Sequence, residues 1–378
     1  MNTAPKFDPY PPVREPNYPR WFLIGAVPVL GSSQLILMRN DSSWDDLFVF
    51  VGFIGVAVLW LLAFLLRVLV YCLNCNSANY YTKKTQQLQQ DWWAHHRQKV
   101  ALIDAVLVGG ACSNPEQRQH LFSPDHQHPT RGSTPEGATI RLLQVFGDEV
   151  AERERQLANL LVLQWQAQQP EPLVMQPLAC YWQGSLATWQ AFVEQMTKCF
   201  ADVRLPEEPE PWQGIRSLDS IIDRLQGAPA EARILCAGCQ SSPPGPESLL
   251  PAGEAALLWL LGPEGGVRFS RGEWFDADTE HLVTVAERAL QQGQLTAPPQ
   301  CCVSFSQPGV PGLSAHGWNT SQYRQDANFG ALGSLEAMVV QTLAAAYADQ
   351  HQVPCAWLAN DPHHTLALGI VEPDDSIR

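Results

Sequence analysis

The chain has 378 residues, of which 46% are hydrophobic and 16% are charged, and this is the composition of a globular protein. Its formal net charge is −14 and its Lys and Arg residues form no cluster, which argues against nucleic acid as a partner. Ten cysteines are scattered along the chain, and this pattern favours buried thiols in a reducing compartment over a disulfide framework.

Two apolar stretches near the N-terminus predict a membrane hairpin. Residues 21–38 contain no charged side chain, and residues 47–66 are uniformly apolar. A helix of about twenty such residues is long enough to cross the hydrocarbon core of a bilayer. A signal peptide is the competing interpretation of the first stretch, but a proline-rich tail precedes it and the second stretch follows at once. The prediction is therefore a tail over residues 1–20 and a transmembrane hairpin over residues 21–73.

Basic residues predict the orientation of this hairpin. The loop between the two stretches carries only Arg39, whereas the flanks carry Lys6, Arg14, Arg20, Arg67, Lys83, Lys84, Arg97 and Lys99. Because Lys and Arg are enriched in cytoplasmic flanks, we expect both termini and the main domain in the cytoplasm.

The remainder of the chain predicts one layered α/β domain. Residues 74–98 are polar and predict a helical or flexible stalk, and residues 99–378 alternate helical patterns with short runs typical of buried strands. Residues 253–261 and 266–270 are expected to be strands that pair with each other. Asn360-Asp361-Pro362 before His363-His364 predicts a turn between the last two strands.

Three segments resemble the thiolase and β-ketoacyl-synthase fold. Residues 233–262 contain Ile234-Leu235-Cys236-Ala237-Gly238 and then Gly253-Glu254-Ala255-Ala256, and they are similar to the strand, loop and "GEAA" strand that follow the nucleophile helix of those enzymes. Residues 328–337 are similar to their late glycine turn and the helix after it, and residues 358–369 resemble their last hairpin. The resemblance implies a thiolase-like domain over residues 99–378.

The same resemblance implies a catalytic cysteine at a helix N-terminus and a histidine in the late turn. Here Gly330 and Ala331 stand where that histidine is expected, and no cysteine lies at the expected distance before Gly253. Cys180 and Cys199 are candidate nucleophiles only by elimination, and buried thiols are the favoured interpretation. The sequence therefore predicts no catalytic residue and a protein that is not an enzyme.

The order of these segments also resembles a proteobacterial family encoded beside type VI secretion genes. That family has an N-terminal membrane segment, a thiolase-like cytoplasmic domain and a terminal strand pair, and its best-known member is an adaptor that helps to load a phospholipase effector onto the secretion spike. The resemblance implies a membrane-anchored, non-catalytic adaptor in the bacterial inner membrane, with a secreted effector or a secretion-machine component as its protein partner. Two alternatives stay open: a membrane-bound acyl-transfer or condensing enzyme, and a toxin-immunity protein.

A long loop before the late turn predicts a partner-binding surface. Exposed aromatic and Arg side chains are typical of such surfaces, and the loop carries His316, Trp318, Tyr323, Arg324 and Asp326. The alternative, that these side chains cover the core beneath a long loop, is left open.

Two further groups have the chemistry of metal ligands. Cys236-x-x-Cys239 suggests a redox pair or half of a zinc site, but the chain offers no second half with suitable spacing. The other group, His120, Asp125, His126 and His128, lies in a loop rich in Pro and Ser, where solvated side chains are the favoured interpretation. The sequence therefore predicts neither a metal nor a cofactor.

Overall fold

The computed structural model describes residues 4–38, 43–169, 175–245, 248–306 and 312–374. The chain divides into two compact units, Met1–Ala94 and His95–Arg378.

The first unit contains two helices that pack against each other. Helix α1 (Tyr18–Met38) covers the first apolar stretch, and helix α2 (Ser43–His96) covers the second and continues through the polar stalk. The indole nitrogen of Trp60 donates a hydrogen bond to the carbonyl oxygen of Trp21 at 3.2 Å. A side chain at Gly25 would collide with Trp60, since an added Cβ would lie 2.5 Å from the indole ring. Gly25 therefore permits the close approach of the two helices.

Within the described residues, one helix, Phe50–His96, is long and apolar enough by length and composition to cross a membrane. It contains most of the second predicted span. The first predicted span is helical, but a membrane crossing by α1 is not shown, so the two-span hairpin stays a prediction. The second part of the loop predicted between the spans is helical, because α2 begins at Ser43; residues 39–42 lie outside the described residues.

The second unit is a mixed α/β domain. Its helices are α3 (Pro115–His120), α4 (Val150–Gln168), α5 (Leu186–Cys199), α6 (Ile215–Leu225), α7 (Leu282–Gln292), α8 (Asp326–Phe329) and α9 (Glu336–His351). Its strands are β1 (Lys99–Gly109), β2 (Gly132–Thr134), β3 (Gly137–Thr139), β4 (Ala179–Gln183), β5 (Glu210–Pro211), β6 (Ile234–Ser241), β7 (Glu254–Gly262), β8 (Val267–Ser270), β9 (Glu273–Phe275), β10 (Cys301–Ser304), β11 (Tyr323–Arg324), β12 (Cys355–Asp361) and β13 (His364–Glu372).

The large sheet of this unit is built twice from the same pattern. The strand order is β5-β4-β6-β7-β1 in the first half and β11-β10-β12-β13-β8 in the second, with β9 paired to β13. In each half the first three strands are parallel and the last two pairings are antiparallel. Antiparallel pairing of β1 with β8 joins the halves. The sequence patterns did not predict this duplication.

Three hydrophobic clusters divide the domain into layers. The largest cluster contains α6 and α9 together with side chains from strands of both halves, so these two helices lie between the half-sheets. The second cluster covers the other face of the first half with α4 and α5, and the third covers the other face of the second half with α7. Successive residues of β6 alternate between the first two clusters, as Ile234 and Leu235 do, because neighbouring side chains of a strand point to opposite faces. The order of layers is therefore helix, sheet, helix, sheet, helix.

The predicted pairing of residues 253–261 with residues 266–270 is wrong. These segments form β7 and β8, and both pair with β1, which lies between them. Strand β1 is eleven residues long, and its first residues pair with β8 while its later residues pair with β7. Local patterns identified the strands but not the third strand between them.

Candidate functional site

The candidate site lies at the edge of the sheet where the parallel strands of both halves end and the central helices begin. Hydrogen bonds join the two halves there. Gln183, at the end of β4, donates from Nε2 to Ser334 Oγ at 2.7 Å, just before α9. The backbone N–H of Ile215, the first residue of α6, donates to Asp361 Oδ2 at the end of β12, at 3.0 Å. Ligands of α/β proteins bind preferentially outside the carboxyl ends of parallel strands.

The resemblance described above implies that the helix before the "GEAA" segment matches the nucleophile helix, and in this fold α6 is the helix that precedes β6 and β7. Its N-terminus is formed by Gln213, Gly214 and Ile215, and Gly214 adopts a positive φ of 60° as the N-cap. A cysteine nucleophile is therefore absent from the beginning of α6.

Neither cysteine considered as a nucleophile suits that role. Cys180 is buried in β4, and desolvation by burial raises the pKa of its thiol to about 12, whereas a nucleophilic cysteine needs a lowered pKa. Cys199 is the last residue of α5, whereas the resemblance places the nucleophile at a helix N-terminus.

The carboxylate of Asp361 occupies the N-terminus of α6 instead. Its side chain is only 1% exposed. Besides the N–H of Ile215, it accepts the backbone N–H of His363 at 3.0 Å, and it bonds Nδ1 of His364 at 2.8 Å. A Cβ at Gly214 would lie 2.2 Å from Asp361 Oδ2, so only glycine leaves room for the carboxylate. Three donors and the positive end of a helix compensate the burial of this charge.

His364 is held by two neighbours. The Asp361 carboxylate can only accept, so Nδ1 of His364 carries the proton and Nε2 is left as the acceptor. The indole of Trp274 stacks on the imidazole with ring centroids 4.9 Å apart and an interplanar angle of 23°. A carboxylate that fixes a histidine in this tautomer is the arrangement of a general base.

The beginning of α9 adds a second carboxyl group to the same edge. Glu336 accepts a hydrogen bond from Nδ2 of Asn360 at 3.1 Å, and Asn360 directly precedes Asp361. Desolvation by burial raises the pKa of Glu336 to about 6. The turn over residues 360–364 therefore bridges the N-termini of both central helices.

The late turn receives histidines from another part of the chain. Asn328 is buried, and its Oδ1 atom lies 2.8 Å from Nε2 of His126 and 2.7 Å from Nδ1 of His128. These two histidines belong to the loop for which solvated side chains were favoured. The sequence places no histidine in the late turn itself, but the fold brings two imidazoles to it from about 200 positions away.

The predicted partner-binding residues do not form one exposed surface. Arg324 in β11 is exposed, as is His316 in the short 3₁₀ helix Ser314–His316. Trp318, in contrast, is 3% exposed and belongs to the third hydrophobic cluster, so the expectation that it is exposed is wrong.

Tyr323 and Asp326 also have partners within the domain. The ring of Tyr323 packs against the rings of Phe122 and Tyr347, with centroids 5.5 and 5.9 Å apart. The carboxylate of Asp326 accepts hydrogen bonds from the N–H of Ser306 at 3.1 Å and from its hydroxyl at 2.9 Å. Burial and internal bonding of these side chains agree with the alternative that the loop covers the core.

The cysteine pair in β6 does not form a unit. Cys236 belongs to the first hydrophobic cluster and Cys239 to the second, so their side chains lie on opposite faces of the sheet. Within the ranges that the structure describes, no group of three or more His, Cys, Asp and Glu side chains could hold a metal ion.

Comparison with known proteins identifies the fold. No protein-family model and no curated protein matches the chain. A structure described as the ishigamide ketosynthase/chain length factor aligns with a TM-score of 0.50 at 15% identity, over 73% of this chain and 99% of that one. The ketosynthase from module 1 of the bacillaene synthase from Bacillus amyloliquefaciens aligns with a TM-score of 0.50 at 11% identity, over 74% and 76% of the two chains. The domain has a mixed α/β, thiolase-like fold, which confirms the predicted fold class.

A third structure, 3-oxoacyl-(acyl carrier protein) synthase III from Xanthomonas oryzae, aligns with a TM-score of 0.43 at 10% identity, over 73% of this chain and 99% of that one. At identities this low the likeness concerns the fold, and any chemistry has to be argued from the residues of this chain.

The comparison contradicts the prediction that the protein is not an enzyme. Both structures with a TM-score of 0.50 are described as ketosynthases, which are enzymes. The prediction rested on two missing groups, a cysteine on the nucleophile helix and a histidine in the late turn. It was wrong to equate their absence with an absence of acid–base groups, because His364, Asp361, His126 and His128 reach this edge from other segments.

Proposed function

We propose that the protein is an acyl-transfer enzyme that has the fold of the condensing enzymes and works without a cysteine nucleophile. The observation that carries this proposal is the Asp361 carboxylate at the beginning of α6, which holds the imidazole of His364 by its Nδ1 atom. The thiolase-like fold supports the reaction class, since the solved structures it resembles are described as ketosynthases. The donor substrate would be an acyl thioester.

His364 acts as the general base in the proposed reaction. Its Nε2 atom takes the proton from the hydroxyl, thiol or water of the acceptor, which attacks the carbonyl carbon of the acyl group. The bond from that carbon to the acceptor forms, the carbon–sulfur bond breaks, and the departing thiolate takes the proton back from the imidazolium. Asp361 stabilises the imidazolium while it carries the proton.

The test uses purified full-length protein and a series of acyl-coenzyme A thioesters of increasing chain length. Release of free coenzyme A is measured by chromatography, because the native cysteines would react with thiol reagents. His364→Gln keeps an amide donor for Asp361 but lacks a base, so we expect a rate lower by at least about a hundredfold. His363→Gln is the matched control, because this exposed neighbour donates to Asp361 only through its backbone N–H.

Two outcomes would count against the proposal. One is that the unchanged protein releases no coenzyme A from any thioester of the series. The other is a covalent acyl-protein that disappears in Cys180→Ser or Cys199→Ser, since that result would show a cysteine nucleophile.

The type VI secretion partner remains a separate proposal that rests on the sequence resemblance. An acyl-transfer enzyme can also bind a secreted effector or a component of the secretion machine, and the exposed side chains of His316 and Arg324 are available for such contact. Affinity capture with the full-length protein, compared with Arg324→Ala, tests this proposal. The proposal is supported if the unchanged protein captures a spike component and Arg324→Ala does not. Equal capture by both proteins refutes a role for Arg324.

A further inference from the structure

The strongest unassigned surface of the chain is the outside of α1 and α2. More than half of the exposed large hydrophobic side chains of the described residues lie between Phe22 and Leu73, and Leu23, Val27 and Leu59 are 67 to 68% exposed. The apolar stretch over residues 47–66 is about 30 Å of helix, which matches the hydrocarbon thickness of a bilayer. A lipid bilayer is the partner that fits this length of unbroken apolar helix.

The helices run side by side in opposite directions through this apolar region. At the beginning of α1, the rings of Tyr18, Trp21 and Phe22 surround the ring of Phe64, with centroids 5.9 to 6.2 Å apart. One turn further along α1, Gly25 contacts Trp60, which lies one turn earlier in α2. From its first residue onwards, α1 therefore runs along the apolar stretch of α2 towards the N-terminal end of α2, so the two helices are antiparallel.

The tail before α1 lies along the part of α2 that follows the apolar stretch. The guanidinium of Arg67 donates to the carbonyl oxygen of Arg14 at 3.1 Å. Further along α2, the hydroxyl of Tyr81 donates to the carbonyl oxygen of Asp8 at 2.9 Å. The rings of Tyr10 and Tyr81 lie 5.6 Å apart. At the far end of the tail, Nε2 of Gln89 donates to the carbonyl oxygen of Pro5 at 3.2 Å.

We propose that α1 and α2 enter a lipid bilayer together as an antiparallel hairpin, with the tail and residues 67–96 on the same side. The four tail contacts described above are all with residues of α2 beyond position 66, outside the apolar stretch. If α2 alone crossed the bilayer and the tail lay on the opposite side, about 30 Å of hydrocarbon would separate Asp8 from Tyr81. The inference concerns the anchor and does not depend on the proposed acyl-transfer chemistry.

Paired cysteines in the membrane-bound full-length protein test the hairpin. In a background with Cys72→Ser and Cys75→Ser, Tyr10→Cys with Tyr81→Cys should form an intramolecular disulfide on mild oxidation. Tyr10→Cys with Leu59→Cys is the matched control and should remain unlinked, because Leu59 lies in the apolar stretch. Absence of the Tyr10–Tyr81 cross-link would overturn the proposal.

Labelling from each side of the membrane gives an independent readout. A membrane-impermeant maleimide added to sealed vesicles should react with Tyr10→Cys and with Tyr80→Cys from the same side, and with neither from the other side. Reaction of the two positions from opposite sides would overturn the proposal, whatever the cross-linking shows.

Glycine substitutions test the contact between the helices. Gly25→Leu should remove most of the Tyr10–Tyr81 cross-link, because its side chain pushes α1 away from Trp60. Gly55→Leu is the control, since no atom lies within 4 Å of a Cβ added there. An equal cross-link in both variants would show that α1 does not pack on α2 at Gly25.

Discussion

At the scale of single residues, the start of α6 shows how one side chain can replace another. A helix N-terminus stabilises negative charge, and a cysteine thiolate at that point would use this field for nucleophilic attack. Here the carboxylate of Asp361 lies in the same field and also bonds Nδ1 of His364. A negative charge at this position is kept, but a carboxylate carries it instead of a nucleophilic thiolate.

Gly214 is required for this arrangement on two grounds. Its backbone, at φ 60° and ψ −133°, lies outside the regions open to other residues, so Ala there is strained by the backbone alone; Gly227, with a φ of 71°, is a second glycine in a positive-φ conformation. Only at Gly214 does the added Cβ also collide with Asp361, because no atom lies within 4 Å at Gly227. Gly214→Ala should therefore lower the unfolding temperature of the full-length protein more than Gly227→Ala and should also lower acyl-transfer activity. Equal effects of the two substitutions would refute the role of Gly214.

Glu254 of the "GEAA" segment is a structural anion. Its carboxylate is fully buried and accepts hydrogen bonds from Arg153 at 2.8 and 3.0 Å, from Arg141 at 3.2 Å and from Ser241 at 3.2 Å. Glu254→Gln leaves the two guanidinium groups without their counter-charge, so we expect a loss of about 3–5 kcal/mol in the free energy of unfolding. Denaturant titration of the variant and the unchanged protein measures this difference in unfolding free energy. Glu194→Gln removes an exposed partner of Lys198 and serves as the control, with little change expected.

Sequence reasoning named Asp361 and His364 only as parts of a turn and predicted no catalytic residue. The turn at Asn360–His364 was predicted, but its contact with Ile215 joins positions 146 apart, and no local pattern encodes such a contact. His126 and His128 were considered as possible ligands and assigned to solvent, because the loop around them is polar. Their partner Asn328 lies in a segment recognised for its glycines, and burial of its amide was not visible in the sequence.

At the scale of elements, α9 differs from an ordinary surface helix. It lies between the two half-sheets, so even Gln341 and Thr342 are buried, and an amphipathic pattern is not required of it. The resemblance placed a helix directly after the glycine turn, and the structure adds the 3₁₀ turn Gly333–Leu335 before that helix begins. The strands were found from similar local signals, but their partners depend on the duplication and were not found.

Thr342 supplies the polar contact at the centre of this layer. Its hydroxyl accepts the indole N–H of the buried Trp259 at 2.7 Å and donates to the carbonyl oxygen of Met338 at 2.8 Å. Thr342→Val keeps the shape but leaves the indole N–H unpaired, so we expect a loss of about 1–3 kcal/mol in unfolding free energy. Thr342→Ser keeps the hydroxyl as an acceptor. A destabilisation by Ser as large as that by Val would show that packing, and not the hydrogen bond, dominates.

The first residue of α9 should make stability depend on pH. Burial raises the pKa of Glu336 from 4.5 to about 6 in the folded state. At low pH the carboxyl is neutral in both states, and between these values the unfolded chain gives up its proton while the folded chain keeps it. Ionisation therefore favours the unfolded chain, and stability is lost as the pH rises through about 6.

Glu336→Gln isolates this contribution. The variant should lose less stability than the unchanged protein when the pH is raised from 4.5 to above 6, the range bounded by the two pKa values of Glu336. Unfolding temperatures of the full-length proteins across this range give the comparison. Burial also raises the pKa of Asp219 to about 6. Asp219 is present in both proteins, so its contribution to the pH dependence cancels when the two are compared. Parallel pH profiles would refute the assignment to Glu336.

At the scale of the whole molecule, the two halves of the domain share one core. The largest hydrophobic cluster takes side chains from both half-sheets and both central helices, so neither half can bury its inner face without the other. We expect the domain to unfold in one cooperative transition. Leu218→Ala in α6 and Val340→Ala in α9 should each lower the midpoint of this transition. In each variant, tryptophan fluorescence and far-ultraviolet circular dichroism should give the same midpoint. Separate transitions for the two signals would contradict a shared core.

The large sheet ends in a very short strand on both sides. Strand β5 and strand β11 have two residues each, and β5 ends in Pro211, which has no N–H to offer a neighbour. A sheet of this width with long free edges would be a template on which other chains could add strands. If α1 and α2 enter a bilayer as proposed above, copies of the protein are concentrated in the plane of that membrane, where they collide frequently. Edges this short would let neighbouring copies collide there without joining their sheets.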